Sequence, residues 1–268
     1  MPALDRIAVY PIKSLDPAYP EQVTVRPDGG LAHDRRYAIV DDEGAYVNGK
    51  RTPAVHRIRA EHDLAAERVR LRDGVAATAE NVAIEGTLTD DDDRSRIATW
   101  LAERVPDVHA IRPADGPNLT DSSAGAGPSV IGDGTLRTVA SWFEDLEVPD
   151  VRRRLRPNLV VSNVPPFWED RLVADPSHPG TVSIGGVRLS GSKPVPRCVV
   201  PTRDPETGQP AADFRRTFLE RRRETLPAWA DPDAYEHLYS LMVVTRVLDA
   251  DRGATLSVSD AVVDPASS

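Results

Sequence analysis

Six short segments rich in β-forming residues follow one another through the first third of the chain, with no helical pattern between them. They are Arg6–Tyr10, Gln22–Arg26, Arg36–Val40, Ala45–Asn48, Val55–Ala60 and Arg68–Leu71. Turn-forming residues separate them, as at 28–30 and 41–44. Strands this close along the chain leave no room for crossover helices and therefore pair antiparallel. The pattern predicts an antiparallel barrel or a curled sheet.

The rest of the chain mixes strands with helices. Apolar residues recur at helical spacing in three segments: Arg94–Val105, which follows the acidic run Asp90–Asp93, Thr135–Leu146 and Phe214–Arg223. Strands are predicted at Asn158–Ser162, Thr181–Ile184, Val187–Ser190, Leu241–Leu248 and Ala254–Ser257. Residues 106–128 are poor in apolar side chains and contain Pro, Gly and Ser, which is typical of a connection. We therefore predict two domains, 1–115 and 116–265, and a mainly β or α+β fold.

Composition excludes several classes. The 268 residues carry a net charge of −9, which argues against nonspecific nucleic-acid binding. No apolar run approaches the roughly 18 residues of a membrane helix, and no basic and apolar leader is visible, so we expect a cytoplasmic protein. A single cysteine, Cys198, excludes an internal disulfide framework, a zinc ribbon and a cysteine-ligated iron–sulfur cluster.

The chain uses arginine far more often than lysine, and aspartate more often than glutamate. Lysine supplies only three of the 33 basic residues, and Asp outnumbers Glu by 28 to 14. Short carboxylates stay hydrated, and avoiding lysine removes long apolar stems from the surface. This composition favours the hypothesis of a halophilic, salt-adapted cytoplasm.

Phosphate loops, zinc-protease motifs and nucleophile elbows are absent, but four unusual segments remain. The first is residues 10–15, where Lys13 follows a strand and lies beside a serine. An ammonium next to a hydroxyl suits an anion contact, although an ordinary strand-end lysine is the alternative. The second is residues 30–37, where Asp34 and Arg35 would commonly form a structural ion pair.

The third segment, residues 152–158, places Arg156 just before a buried-looking strand. A guanidinium there is costly to desolvate unless an internal carboxylate or a bound anion compensates it. Glu169 and Asp170 are available as internal partners.

The fourth segment, residues 195–208, contains Cys198 next to Arg197 and between prolines at 196 and 201. A lone cysteine is most often a small buried hydrophobe. A rigid loop with a neighbouring positive charge instead favours the thiolate, which ligates metals or attacks sulfur.

The string Arg-Cys-x-x-Pro-Thr-x-Asp-Pro-x-Thr-Gly at 197–208 resembles the cysteine motif of the MOSC superfamily, the molybdenum cofactor sulfurase C-terminal domains. Arg156-Pro157-Asn158 and the pair Glu169-Asp170 fit the same domain. Tyr-Pro-Ile-Lys-Ser-Leu and Gly-Leu-x-x-Asp-Arg resemble the β-barrel domain that precedes it in one branch. That branch includes the mitochondrial amidoxime reducing component and YcbX-like proteins, and the resemblance covers about residues 1 to 263.

The resemblance implies an N-terminal β-barrel domain, then a β-barrel-like MOSC domain with peripheral helices. It also implies a pterin-based molybdenum cofactor (Mo-molybdopterin) between them, with Cys198 as the thiolate on the metal. The cofactor contacts that it implies are Lys13, Ser14, Arg35, Ser122, Ser123, Arg156, Asn158 and Arg197. Asp121 would supply a proton near the metal. The chain departs from the family at Pro196, where a serine is usual, and at the late tyrosine, where Tyr239 lies near but Leu241 aligns.

The leading hypothesis is a reductase that removes oxygen from small N-hydroxylated compounds at a cysteine-ligated molybdenum. With one cysteine in the chain, the electrons must come from a separate donor, a ferredoxin or a reductase. The first alternative is a sulfur carrier that uses a persulfide on Cys198 to deliver sulfur to a metal cluster or cofactor. The second is a non-catalytic cofactor-binding module. We expect neither a nucleic-acid partner nor a membrane association.

Overall fold

The computed structural model describes residues 1–74, 83–117, 119, 127–175, 177–228, 230, 235 and 237–264. The strands among them are β1 (Ala3–Ile7), β2 (Gln22–Thr24), β3 (Tyr37–Val40), β4 (Ile58–Asp63), β5 (Arg68–Asp73), β6 (Ile84–Thr87), β7 (Ala110–Pro113), β8 (Ser129–Gly132), β9 (Leu159–Ser162), β10 (Thr181–Ile184), β11 (Val187–Pro196), β12 (Ser240–Val247), β13 (Thr255–Ser257) and β14 (Val262–Val263). The helices are α1 (Asp91–Ala102), α2 (Asp133–Ala140), α3 (Val148–Leu155) and α4 (Phe214–Glu224).

Seven strands form a sheet in the order β1-β9-β8-β12-β11-β10-β14, antiparallel except for the parallel pair β8–β9. Its two ends meet. The N–H of Leu4 donates to the carbonyl of Asp260 at 2.8 Å, and the N–H of Val262 donates to the carbonyl of Pro2 at 3.0 Å. The sheet is therefore a barrel. Its interior is an apolar cluster of buried valines, leucines and isoleucines. The prediction of a mainly β fold with barrels and peripheral helices is confirmed.

A second apolar cluster lies under the smaller sheets β3–β7 and β4–β5–β6 and is covered by α1. Helix α1 begins within the acidic run, and Asp90 Oδ1 accepts the N–H of Asp93 at 2.9 Å as its N-cap. The carboxylates of its first turn also oppose the positive end of the helix dipole. None of the described helices is long and apolar enough to cross a membrane.

Strands from the start of the chain pair with strands from its end. β1 lies next to β9 in the barrel, and β2 pairs with β13. The division into domains 1–115 and 116–265 stays a prediction. Residues 1–115 supply strands β1 and β2 to sheets that also contain strands from residues 116–265.

Several predicted elements differ from the structure: the strand predicted at Arg6–Tyr10 is Ala3–Ile7, and the helix predicted at Thr135–Leu146 is Asp133–Ala140. The segment Ala45–Asn48 makes only an isolated bridge, between Tyr46 and Val40, because the chain turns away again at Asn48, whose carbonyl accepts the N–H of Thr52 at 2.8 Å. The first half of Val55–Ala60 is a 3-10 turn, Pro53–Arg57, since proline supplies the first position of that turn. The predicted connection 106–128 contains β7, in which only Ile111 is buried, so it lacks the alternation that marks a strand.

Sequence patterns also missed α3. The helix contains a proline and three consecutive arginines, which obscure its apolar face. A capping box marks its start: the N–H of Glu147 donates to Asp150 Oδ2 at 3.1 Å, and the Glu147 side chain accepts from the backbone of Asp150. Helix α3 delivers Arg156 to the site because the helix ends there, at a residue with φ of 57°.

Candidate functional site

A cleft has a volume of about 260 Å³. Some of the residues that line it lie between positions 10 and 59, in the N-terminal part of the chain, and the others lie between positions 127 and 244. The cleft brings together the seven predicted site residues that the structure describes, which are Lys13, Ser14, Arg35, Arg156, Asn158, Arg197 and Cys198. The other three, Asp121, Ser122 and Ser123, lie outside the described residues. Segments far apart in the sequence therefore meet in one place.

The cleft is basic although the chain carries a net charge of −9. Two carboxylates of the described residues line it, those of Asp16 and Asp34. The cationic side chains that line it are Lys13, Arg35, Lys50, Arg59, Arg152, Arg153, Arg154, Arg156, Arg197 and Arg203. Such a concentration of positive charge suits an anionic ligand.

Tyr10 organises one side of the cleft. The guanidinium carbons of Arg35 and Arg156 lie 4.8 Å and 4.1 Å from the centroid of its ring. Its hydroxyl donates to the carbonyl of Pro157 at 3.1 Å, and its N–H donates to Asp34 Oδ1 at 2.9 Å. Burial raises the pKa of the phenol, so the ring stays neutral and keeps its donor.

Asp34 and Arg35 form the predicted ion pair, with Arg35 Nη1 donating to Asp34 Oδ2 at 2.5 Å. Arg35 has a φ of 50°, in the left-handed region, which turns its side chain toward Tyr10 in the cleft. The pair is structural, and it also places one guanidinium against the cleft wall.

Arg156 does not pair with the internal carboxylates proposed for it. Asp170 instead pairs with Arg222 at 2.5 Å, both fully buried, and Glu169 accepts from Thr135 Oγ1 at 2.8 Å. Among the described residues no carboxylate oxygen hydrogen-bonds Arg156, whose Nη2 donates to the carbonyl of Leu15 at 2.7 Å. Burial, and to a lesser extent Arg35, lower its pKa. These contacts favour the other alternative, a bound anion.

Arg197 and Cys198 begin the loop after β11. Arg197 Nη2 donates to the carbonyl of Leu155 at 2.9 Å, and its N–H donates to the carbonyl of Tyr239 at 2.8 Å. Its Nε is buried and has no hydrogen-bond partner among the described residues. Burial lowers the pKa of this guanidinium. The Cys198 thiol is half-buried in the cleft, where its Sγ accepts a long contact of 3.5 Å from the N–H of Val200.

The second half of the cysteine motif builds a turn. Asp204 Oδ1 accepts the N–H groups of Glu206 and Thr207 at 3.0 and 2.8 Å, and the Thr207 hydroxyl at 2.9 Å. Gly208 has a φ of 74°, and a Cβ there would lie 2.4 Å from the carbonyl oxygen of Pro53. These residues therefore hold the loop against the N-terminal part of the chain.

Three further predicted residues have distinct settings. Lys13 is buried, with its Nζ 4.2 Å from the ring centroid of Tyr46. Ser14 has a φ of 78° and lies half-buried in the cleft wall. The Asn158 amide bonds within the protein, donating to the carbonyl of Ala8 at 3.0 Å and accepting from the Ser129 hydroxyl at 3.1 Å. Asn158 thus ties strands together, and its cofactor contact stays a prediction.

Sequence reasoning missed several cleft residues. Tyr10 belongs to the motif at residues 10–15, but the motif alone does not indicate its role. His56 and Arg59 carry no distinctive sequence pattern, because one lies in a 3-10 turn and the other at a half-exposed strand position. Burial is the largest cause lowering the pKa of His56, and three nearby arginines lower it further. Only the folded chain reveals that these side chains share the cleft with Cys198.

The side chains of the cleft suit a metal that arrives bound to an organic cofactor better than a metal held by protein ligands alone. Within the described part of the chain, no three His, Cys, Asp or Glu side chains are grouped so that they could hold a metal ion. A metal here would need further ligands supplied with it, since Cys198 offers one sulfur. The surrounding cations, and the Nε of Arg197 that lacks a hydrogen-bond partner in the described part of the chain, fit the anionic groups of an organic cofactor.

Together, the fold and the site define a two-part β-barrel protein with a cationic, thiol-containing cleft. Residues 1–108 match the MOSC N-terminal beta barrel domain, and residues 135–262 match the MOSC domain. The chain therefore belongs to the MOSC superfamily, whose domains are associated with molybdenum cofactor binding and sulfurase-like proteins. A comparison with curated proteins finds no match.

Proposed function

We propose that this chain is a cytoplasmic molybdenum-cofactor oxidoreductase that removes oxygen from small N-hydroxylated compounds. The observation that carries the proposal is the convergence of Cys198 with four cations from four separate segments, Lys13, Arg35, Arg156 and Arg197, in one cleft. A pterin with a phosphate tail requires several such donors to converge, and a redox metal requires a soft ligand.

The residues would divide the work between holding the cofactor and completing the metal site. Lys13, Arg35, Arg156 and Arg197 would bind its anionic groups, and Cys198 would ligate the metal. When bound, the cofactor supplies the redox chemistry by which oxygen leaves nitrogen. Loss of the oxygen as water takes two electrons and two protons, of which Asp121 would supply one and solvent the other. A separate ferredoxin or reductase supplies the electrons.

Elemental analysis tests the proposal. The wild-type chain and Cys198→Ala are purified at high salt from a host that makes the cofactor, with Val199→Ala as a matched control. Val199 is the exposed neighbour of Cys198 and does not line the cleft. We expect near-stoichiometric molybdenum in the wild type and in the control, and at least roughly tenfold less in Cys198→Ala. Reduction of benzamidoxime with a chemical electron donor then tests the reaction.

Each result has a distinct meaning. Full molybdenum in a folded Cys198→Ala or Cys198→Ser protein would show that the thiolate is not the metal ligand. Bound molybdenum without turnover would support the alternative hypothesis of a non-catalytic cofactor-binding module. No molybdenum in well-folded wild type would contradict the reductase, and a persulfide on Cys198 would then support sulfur transfer.

A further inference from the structure

We propose that one wall of the cleft is an anion subsite that selects N-hydroxylated substrates carrying a phosphate or carboxylate. We call it the turn wall, and it consists of Arg59, Arg152, Arg153, Arg203 and His56, all of which line the cleft. The inference rests on the proposed function for its substrate class. The anion subsite itself stands on geometry and charge.

The turn wall is assembled around the turn at residues 203–208. Arg59 Nη2, from β4, donates to the carbonyl of Pro205 at 3.0 Å. Arg153 Nη1, from α3, donates to Glu206 Oε1 at 3.0 Å, and Arg203 Nη1 donates to the carbonyl of Gly208 at 3.1 Å. Three guanidinium groups from separate elements therefore meet at one turn.

Carboxylates compensate this charge only in part. Asp16 lies 3.5 Å from Arg59, and Glu206, which pairs with Arg153, has a side chain that is 70% exposed. Exposed ion pairs are strongly screened by water. Arg152 makes no side-chain hydrogen bond or ion pair with the described residues, and Arg203 Nε is buried without a hydrogen-bond partner among them.

The cations of the turn wall also repel one another. Burial is the largest cause lowering the pKa of Arg59; Asp16 and Glu206 raise it, and Arg153 and Arg72 lower it. Burial lowers the pKa of His56, the carbonyl of Gly49 raises it, and Arg156, Arg203 and Arg59 lower it again. A bound dianion would relieve this repulsion and supply acceptors to the unsatisfied donors.

The turn wall and the cations predicted to hold the cofactor share the cleft, and Arg156 is near enough to lower the pKa of His56, but different residues position the two groups. Arg35 and Arg156 contact Tyr10, whereas Arg59, Arg153 and Arg203 contact the 203–208 turn. We assign its anion to the substrate. An N-hydroxylated base that carries a ribose phosphate has the required chemistry, with the reacting nitrogen at one end and a dianion at the other.

Two substrates that differ only in a phosphate test this assignment. N4-hydroxycytidine and its 5′-monophosphate are compared with the molybdenum-loaded protein. We expect a KM about tenfold or more lower for the monophosphate. Arg152→Gln should reduce that KM ratio toward one, whereas Arg96→Gln, an exposed arginine on α1, should preserve it. Equal KM values in the wild type would overturn the assignment.

Two further measurements identify the source of the anion. If Arg152→Gln loses molybdenum while Arg96→Gln keeps it, the turn wall holds the phosphate of the cofactor and the substrate assignment is wrong. Calorimetry with cytidine 5′-monophosphate and cytidine measures the subsite without turnover. Binding of the monophosphate that depends on Arg152 would support the subsite even if no hydroxylated compound were reduced, an outcome that would refute only the reductase.

Discussion

The guanidinium carbon of Arg156 lies 4.1 Å from the ring centroid of Tyr10, although the two residues belong to opposite parts of the chain. The Tyr10 hydroxyl also donates to the carbonyl of Pro157, the residue after Arg156. One side chain thus fixes both the charge of Arg156 and the backbone beside it. Because Arg35 contacts the same ring, Tyr10 couples two cations of the candidate site.

Substitutions at Tyr10 should separate the contribution of its hydroxyl, which bonds Pro157, from that of its ring, which contacts Arg35 and Arg156. Tyr10→Phe removes only the hydroxyl bond and should lower the free energy of unfolding by about 1 kcal/mol. Tyr10→Leu also removes the aromatic face and should cost about 2–4 kcal/mol. Pyrophosphate should raise the melting temperature of the wild type and Tyr10→Phe, and that of Tyr10→Leu much less. Equal protection of all three proteins would contradict the positioning role of the ring.

The buried pair Asp170–Arg222 should be far more sensitive than a surface pair. Both side chains are essentially inaccessible, so Asp170→Asn leaves a buried guanidinium without its counter-charge. We expect a loss of about 3–5 kcal/mol in urea unfolding. Arg68→Gln breaks the half-exposed pair with Glu85 and should cost less than about 1 kcal/mol. Similar losses for the two variants would show that Asp170–Arg222 is not desolvated as described.

Glu169 should make the protein less stable as pH rises. Burial, with a contribution from Asp170, raises its pKa from 4.5 to about 8. The unfolded chain therefore releases the proton first, so the stabilisation is complete below pH 4.5 and is lost between there and about pH 8. Glu169→Gln cannot ionise, and its stability difference between pH 5 and pH 8 should be smaller by several kcal/mol. The exposed Glu61→Gln is the control, and an unchanged pH dependence in Glu169→Gln would refute the prediction.

Two glycines with positive φ distinguish backbone strain from close packing. Gly208→Ala places a Cβ 2.4 Å from the carbonyl oxygen of Pro53, whereas Gly253 has no heavy atom within 4 Å of such a Cβ. Gly253→Ala should cost about 1 kcal/mol, the strain of the left-handed conformation. Gly208→Ala should cost clearly more and should increase the rate at which Cys198 reacts with a disulfide reagent. Equal unfolding midpoints would argue against the close approach.

The acidic, lysine-poor composition predicts that stability depends on salt. Screening reduces repulsion among surface carboxylates, so the melting temperature should rise steeply from low salt to molar potassium chloride. A flat or falling curve would remove the hypothesis of salt adaptation.

Local chemistry made some elements predictable. The strand Thr181–Ile184 and the start of the next strand at Val187 were correct, because Gly185 and Gly186 adopt the positive φ values of a two-residue hairpin turn. Helix α4 was correct to within one residue at its end. Strand β7 and helix α3 were missed, since one has a single buried residue and the other hides its apolar face among arginines.

The sequence motifs predicted which residues lie together in the cleft, but they did not predict the side chains that surround them. Lys13, Arg35, Arg156 and Cys198 all lie in the cleft. The partner of Arg156 could not be read from the sequence, because Asp170 and Arg222 become paired only through packing of α4. The turn wall could not be predicted from the sequence either, because it depends on tertiary contact between β4 and a turn that is distant in the sequence.

The barrel closes through backbone bonds between residues 2–4 and 260–262. As a ribosome releases the chain, β1 leaves before every strand that it contacts, and the closure that it makes cannot form until residues 260–262 have been made. Until then the nascent protein exposes open strand edges, which readily pair with other chains. A fragment expressed from residue 116 onward would keep that exposure permanently, because it lacks β1, and we expect it to self-associate.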